Sequence, residues 1–197
     1  MRMDFFFAYG STYTYLSVMR AEKLAAAAGV TLRWRPFLLR TITHEQNNRP
    51  FIGKPVKLKY MWRDVERRAL QHGISFNGIP PYPIDVEAIA HRVGYIAAIE
   101  DWCPLFSRAI YSQWFLEHKD PGDRSNLRSV LVSLGKDAEA VLSRADSKEI
   151  RNGLASETNV ARGMGIFGSP TFSVGDEIFW GDDRFEVALD WCRTTHQ

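Results

Sequence analysis

Strand-type patterning is confined to the two ends of this 197-residue chain, and the long stretch between them reads as helix. Residues 3–9 form an apolar, aromatic-rich run of strand length that Gly10-Ser11 cuts off. An alanine-rich stretch from Thr12 to Ala28 follows, with Tyr13, Leu16, Leu24 and Ala27 on one face at 3.6-residue spacing and Gly29 where a helix C-cap belongs. Val30, Leu32 and Trp34 then alternate with Thr31, Arg33 and Arg35 up to Pro36, which completes a βαβ unit. At the other end, Thr171 to Val174 and Glu177 to Trp180 flank a Gly175-Asp176 turn of the hairpin type, and a helix from Arg184 to Cys192 closes the chain.

Between these ends the chain is polar and proline-containing from Thr41 to Pro55, and thereafter helical. The pattern predicts helices over Val56 to His72, ended by Gly73, then Asp85 to Ile99, Trp102 to Lys119, Asn126 to Leu134 and Ala138 to Ala145. Asp146-Ser147-Lys148-Glu149 has the form of a capping box and opens another helix through Arg162. The order βαβ, helical block, β-hairpin, α is that of an α/β fold with a thioredoxin-like core carrying a large all-helical insertion. Residues 1–40 and 163–197 supply the core, and residues 41–162 the insertion with its connecting loops.

A formal net charge of +2, with 45% apolar and 24% charged residues, gives no reason to expect nucleic acid or an acidic membrane as partner. The apolar run at the N-terminus is broken after a few residues, too soon to export or span. Cys103 and Cys192 are far apart and form no CxxC, so neither a disulfide framework nor a thiolate metal site is indicated, no metal is expected, and a cytoplasmic location is. Each cysteine reads as a small apolar side chain beside Trp102 or Trp191.

Three pieces could carry chemistry. Ser11 stands at the N-terminal edge of the first helix, where unpaired N–H groups and the positive end of the macrodipole favour an anion; it also suits a plain N-cap. Ser11-Thr12-Tyr13-Thr14 occupies the place of a Cys-x-x-Cys in a thioredoxin-like oxidoreductase, with hydroxyls at both cysteine positions, so dithiol exchange is excluded. A serine there can instead donate to a sulfur that a ligand brings in. Lowering a thiol from about 8.5 by about two units requires roughly 2.7 kcal/mol. One hydroxyl donor to a charged acceptor supplies about 1.5–3 kcal/mol, and a helix N-terminus about 0.3–1 kcal/mol.

The second piece is Ser169-Pro170, between a helix and a strand. Pro170 serves either as a structural turn or as a cis-proline whose preceding residue offers its backbone to an extended peptide such as glutathione. Third, Trp180-Gly181-Asp182-Asp183-Arg184 opens the last helix. Asp182 or Asp183 caps that helix, pairs with a ligand ammonium such as the γ-glutamyl amine, or the two divide these jobs.

These pieces match a known family. Asp4-Phe5-Phe6-Phe7 leading into Ser11-Thr12-Tyr13-Thr14-Tyr15-Leu16, then Asn48-Arg49-Pro50 with Lys57-Leu58-Lys59-Tyr60-Met61-Trp62-Arg63-Asp64, then Gly165 to Phe172 and Phe179 to Arg184, resemble 2-hydroxychromene-2-carboxylate isomerases. The resemblance covers essentially the whole chain and includes the kappa-class glutathione transferases, within the DsbA-like branch of thioredoxin folds. It implies glutathione as cofactor, Ser11 at its sulfur, Ser169 as main-chain partner beside cis Pro170, and Trp180, Gly181, Asp182 and Asp183 around the rest. It further implies a homodimer and an aromatic carboxylate substrate between core and insertion, near Asn48, Arg49 and Tyr82, with His44 as the nearest basic residue before the asparagine segment. Two departures stand out: Thr12 replaces the usual proline after the serine, and Ser169 replaces a β-branched aliphatic residue.

The activity so implied is glutathione-dependent isomerisation of an aromatic pyruvate-type acid in the breakdown of naphthalene and related bicyclic compounds. Arg49, helped by Lys57 or His44, would bind the carboxylate. A kappa-type transferase, which releases a conjugate, and a non-enzymatic binding module of the same fold are the alternatives.

Overall fold

The computed structural model describes residues 1–48 and 51–195. Four strands, β1 (Arg2–Phe7), β2 (Thr31–Pro36), β3 (Thr171–Val174) and β4 (Glu177–Trp180), form a sheet in the order β2-β1-β3-β4. β1 is parallel to β2 and antiparallel to β3, with Phe5 opposite both Trp34 and Phe172. The parallel pair is joined by α1 (Thr12–Ala28), whose length is set by Ser11 at its N-cap and by Gly29 in the left-handed region at its C-cap.

β1 is central and buries aromatic rings on both faces. Phe5 and Phe7 enter the main core, where Phe5 stacks on Phe172 at 5.0 Å and Phe172 stacks on Phe185 at 4.3 Å. Phe6 points the other way, into a smaller cluster with Phe37, Ile42, Ala161 and Ile166. The chain thus needs helices on both sides of the sheet: α1 and α9 (Phe185–Thr194) on the first, α2 (Leu39–Glu45) and α8 (Lys148–Gly163) on the second. The thioredoxin-like core with a helical insertion is therefore present as the patterning predicts.

The insertion continues as α3 (Pro55–His72), α4 (Ile89–Ile99), α5 (Cys103–Glu117), α6 (Arg124–Ser133) and α7 (Ala138–Ala145) before α8. Local differences from the patterned elements have physical causes. α4 begins at Ile89 rather than Asp85, because Asp85 and Ala88 take positive φ and the Asp85 carboxylate accepts from the N–H groups of Ala90 and His91. Ser147, not Asp146, caps α8 by accepting from Ile150 N–H, while Asp146 pairs with Arg92 and Arg124. α2 lies within the stretch that sequence left without an element.

Gly94, in the middle of α4, faces the Tyr9 ring so closely that a methyl group would overlap it. Replacing an interior helix glycine by alanine ordinarily stabilises by up to about 1 kcal/mol. Here the opposite sign is expected: Gly94→Ala should destabilise by about 1–3 kcal/mol in chemical denaturation, since Tyr9 is fully packed and has nowhere to move.

Candidate functional site

The turn from Ala8 to Ser11 carries β1 into α1, and its backbone is held by side chains from distant elements. Ala8 N–H donates to Ser169 Oγ at 2.9 Å, Tyr9 N–H to His91 Nε2 at 3.1 Å, and Tyr111 Oη donates to Ala8 O at 2.9 Å. Burial holds the Tyr111 phenol well above its usual range, so it remains a donor at ordinary pH. His91 accepts at Nε2 and meets Asp85 Oδ2 through Nδ1 at 2.5 Å, which fixes the Nδ1–H tautomer and leaves no ring nitrogen for proton transfer. Asp85 and His91 are supports of this turn that the sequence reading missed. Their six-residue separation spans a helix start that periodicity placed too early.

On this turn Ser11 is half-buried, and its hydroxyl donates to the carbonyl of Ser169 at 2.7 Å while accepting from Thr14 N–H at 3.4 Å. The two pieces singled out from opposite ends of the sequence thus meet directly. Ser169 precedes a cis peptide bond to Pro170, and its own hydroxyl joins Ala8 N–H to Thr14 Oγ1. The remaining hydroxyls of the Ser11-to-Thr14 run are committed elsewhere: Thr12 to the Met61 sulfur and Tyr13 to Asp64 Oδ2. Ser11 is the member of that run whose hydroxyl donates to a main-chain carbonyl, that of Ser169.

The third piece lies beside the second. Gly181 N–H donates to Pro170 O at 2.9 Å, and Gly181, at φ 112, takes a conformation that few other residues tolerate. Trp180, 53% exposed, packs its ring edge-on to Phe167 at 4.8 Å and covers Gly168, where a Cβ would overlap the indole. The two adjacent acids have different fates. Asp182 is 1% exposed, with Oδ1 accepting from Ser17 and Arg20 and Oδ2 accepting from Arg68 at 2.5 Å. Both oxygens are consumed inside the protein, so the carboxylate does not reach outward to a ligand, and no side chain caps α9. Asp183 is half-exposed and pairs with Arg184 at 3.0 Å. Burial works against the Arg68 charge, but the Asp182 carboxylate outweighs it and raises the Arg68 pKa.

A cleft of about 840 Å³ opens from Ala8 and Gly10 along α2 to the 79–88 segment. His44, Asn48 and Tyr82 all line it, so three of the four residues assigned to substrate share one cavity. Arg49, the fourth, lies outside the described residues. The remaining wall is mainly apolar, with Leu38, Leu39, Phe51 and Leu58. Neither cysteine offers a reactive thiol: burial pushes Cys103 up to about 12 and also raises Cys192. No helix among the described residues is long and apolar enough to cross a membrane.

With this geometry in place, comparison with known proteins is decisive for the family. Residues 2–190 match the DSBA-like thioredoxin domain. The chain belongs to the DsbA-like thioredoxin family. Within it, the chain is 26% identical to a 2-hydroxychromene-2-carboxylate isomerase of Sphingobium xenophagum, covering 93% of this chain and 94% of that protein. It is 29% identical to glutathione S-transferase kappa 1 of Caenorhabditis elegans, covering 96% and 89%. A solved 2-hydroxychromene-2-carboxylate isomerase structure superposes with a TM-score of 0.87 at 27% identity, over 100% of this chain and 98% of that one. The resemblance stated from the motifs therefore holds along the whole length.

Two predictions follow from the charged groups behind this DsbA-like site. Asp182→Asn should destabilise by about 3–5 kcal/mol in denaturant titration, because it takes the buried carboxylate from Arg68 and leaves Arg20 only the half-exposed Glu186. Asp183→Asn, at a half-exposed position, should stay within about 0.5 kcal/mol. His72, whose Nε2 is buried without a hydrogen-bond partner among the described residues, is held below its usual 6.5 by burial and by the Arg20 charge. The unfolded chain then binds that proton more readily, so His72 should cost stability as pH falls below about 6.5. Denaturation at pH 7.5 and 5.5 should show a smaller loss in His72→Gln than in the wild type.

Proposed function

We propose that this DsbA-like protein is a glutathione-dependent isomerase that interconverts 2-hydroxychromene-2-carboxylate and trans-o-hydroxybenzylidenepyruvate, or a close aromatic analogue. The observation that carries this reading is the Ser11 hydroxyl, seated on the Ser169 carbonyl at a helix N-terminus and beside a largely apolar cleft. The residues suit the cofactor. A half-buried hydroxyl and the N-terminal N–H groups of α1 favour an anionic sulfur, the protein's own thiols are held protonated, and the Ser169-Pro170 backbone lies beside Trp180 and Gly181.

When bound, glutathione would supply a thiol able to add to the conjugated carbon of the ring-opened acid and to leave again, so that the bond is single and free to rotate between addition and expulsion and the cofactor is regenerated. The chain's residues bind and orient. Ser11 turns its hydroxyl from Ser169 O to the sulfur and holds the anionic form at neutral pH. Ser169 presents its backbone to the peptide, Trp180 and Gly181 wall it, and the exposed Asp183 pairs with the γ-glutamyl ammonium. Asp182 holds the 180–184 turn from behind through Arg20 and Arg68. His44, Asn48 and Tyr82 enclose the aromatic acid in the cleft.

The likeness to a kappa-class transferase favours a second reading, in which the same cofactor leaves as a conjugate. Product analysis separates the two: under the isomerase reading, glutathione remains constant while the acid turns over many times, and consumption in proportion to turnover overturns it. Ser11→Ala should lower kcat by roughly 10²-fold, the cost of removing a major donor to a developing anion. Unchanged turnover in that variant would refute the role given to Ser11.

A further inference from the structure

Arg40 was not singled out by sequence, because it sits in the unrecognised α2. Its side chain lines the cleft, and Thr43 and His44, three and four residues on, line the cleft beside it. The guanidinium donates from Nη2 to Ile84 O at 3.1 Å and from Nη1 to Val86 O at 3.4 Å. Both partners are neutral carbonyls, and among the described residues Arg40 has no carboxylate within ion-pair distance.

The other charges in the wall are spoken for. Glu45 gives both oxygens to Arg162 at 2.8 Å. Asp85 is turned inward, its oxygens held by Ala90 N–H, His91 N–H and the His91 ring. Among the described residues of this mainly apolar wall, Arg40 is the permanently charged group that faces solvent without a counter-charge, with His44 one turn on. A guanidinium has five N–H donors, and two are engaged, so a planar fork is left for a carboxylate. Its two carbonyl bonds also tie α2 to the segment bearing Tyr82, so the charge is positioned before a ligand arrives and less side-chain entropy is lost on binding.

We infer that Arg40 receives the carboxylate of an aromatic acid in this cleft and so selects anionic arenes over neutral ones of the same shape. The inference deepens the reading above and rests on it for the aromatic acid.

The test is calorimetric titration of the full-length protein with trans-2-hydroxycinnamate and with its primary amide, for the wild type, Arg40→Gln and Arg40→Lys. The wild type should prefer the acid. Arg40→Gln should weaken the acid by about 10- to 100-fold and leave the amide unchanged, which also reports an intact fold. Arg40→Lys should fall between, as a point charge without the fork. No acid preference in the wild type, or a preference that survives in Arg40→Gln, overturns the assignment. Glutathione titrated separately distinguishes the two readings. Loss of acid preference in Arg40→Gln without any glutathione binding refutes the cofactor and supports Arg40, whereas glutathione binding without an acid preference refutes Arg40 alone.

Discussion

The backbone of residues 8–11 is the point on which the rest of the site depends, and it is fixed by side chains instead of a strand ladder. Ser169 comes from the far end of the chain, and His91 and Tyr111 come from the helical insertion. The buried N–H groups of Ala8 and Tyr9 would otherwise lack a partner, at about 1–3 kcal/mol apiece, while Ala8 O accepts from Ser11 N–H as well as from Tyr111. Core and insertion are therefore coupled through the turn itself. A turn anchored from both sides can present one hydroxyl at a defined place and leave a cleft between its anchors.

The same economy appears behind the 180–184 turn. Asp182 unites α1, α3 and the turn through Ser17, Arg20 and Arg68, with Glu186 of α9 joined to Arg20. A buried carboxylate with all its lone pairs engaged orders its surroundings more than it stabilises them, since desolvation offsets much of the Coulomb attraction. Its neighbour Asp183, one residue on, keeps its charge at the surface.

How far all this was legible in the sequence follows from the kind of signal each feature leaves. Strands β1 to β4 and the long helices repeat apolar residues at fixed periods, and Gly29, Gly73 and Pro170 mark their ends, so the core and the meeting of Ser11 with Ser169 could be anticipated. α2 leaves no such trace. Leu39 to Glu45 contains Thr41, Ile42 and Thr43, poor helix formers without a side-chain cap, and Ile42 gains its place by packing with Phe6, Phe37 and Ala161. Arg40 was hidden with it. Asp85 and His91 were obscured by the positive φ of Asp85 and Ala88, which delays a helix that apolar spacing begins sooner. Two adjacent acids offered a cap and a ligand; that Asp182 does neither depends on arginines 114 and 162 residues away in sequence, beyond the reach of local pattern.

The hydrogen bond from Ser11 to Ser169 O has a thermodynamic corollary. A hydroxyl that already has a carbonyl acceptor gives up one bond when it takes another, so its net contribution to holding any neutral ligand atom is close to zero. The gain arises when the new acceptor is charged, because an anion accepts more strongly than a carbonyl. Such an exchange couples occupancy to ionisation: the residue acts on the acidity of what it touches far more than on how tightly the whole molecule is retained.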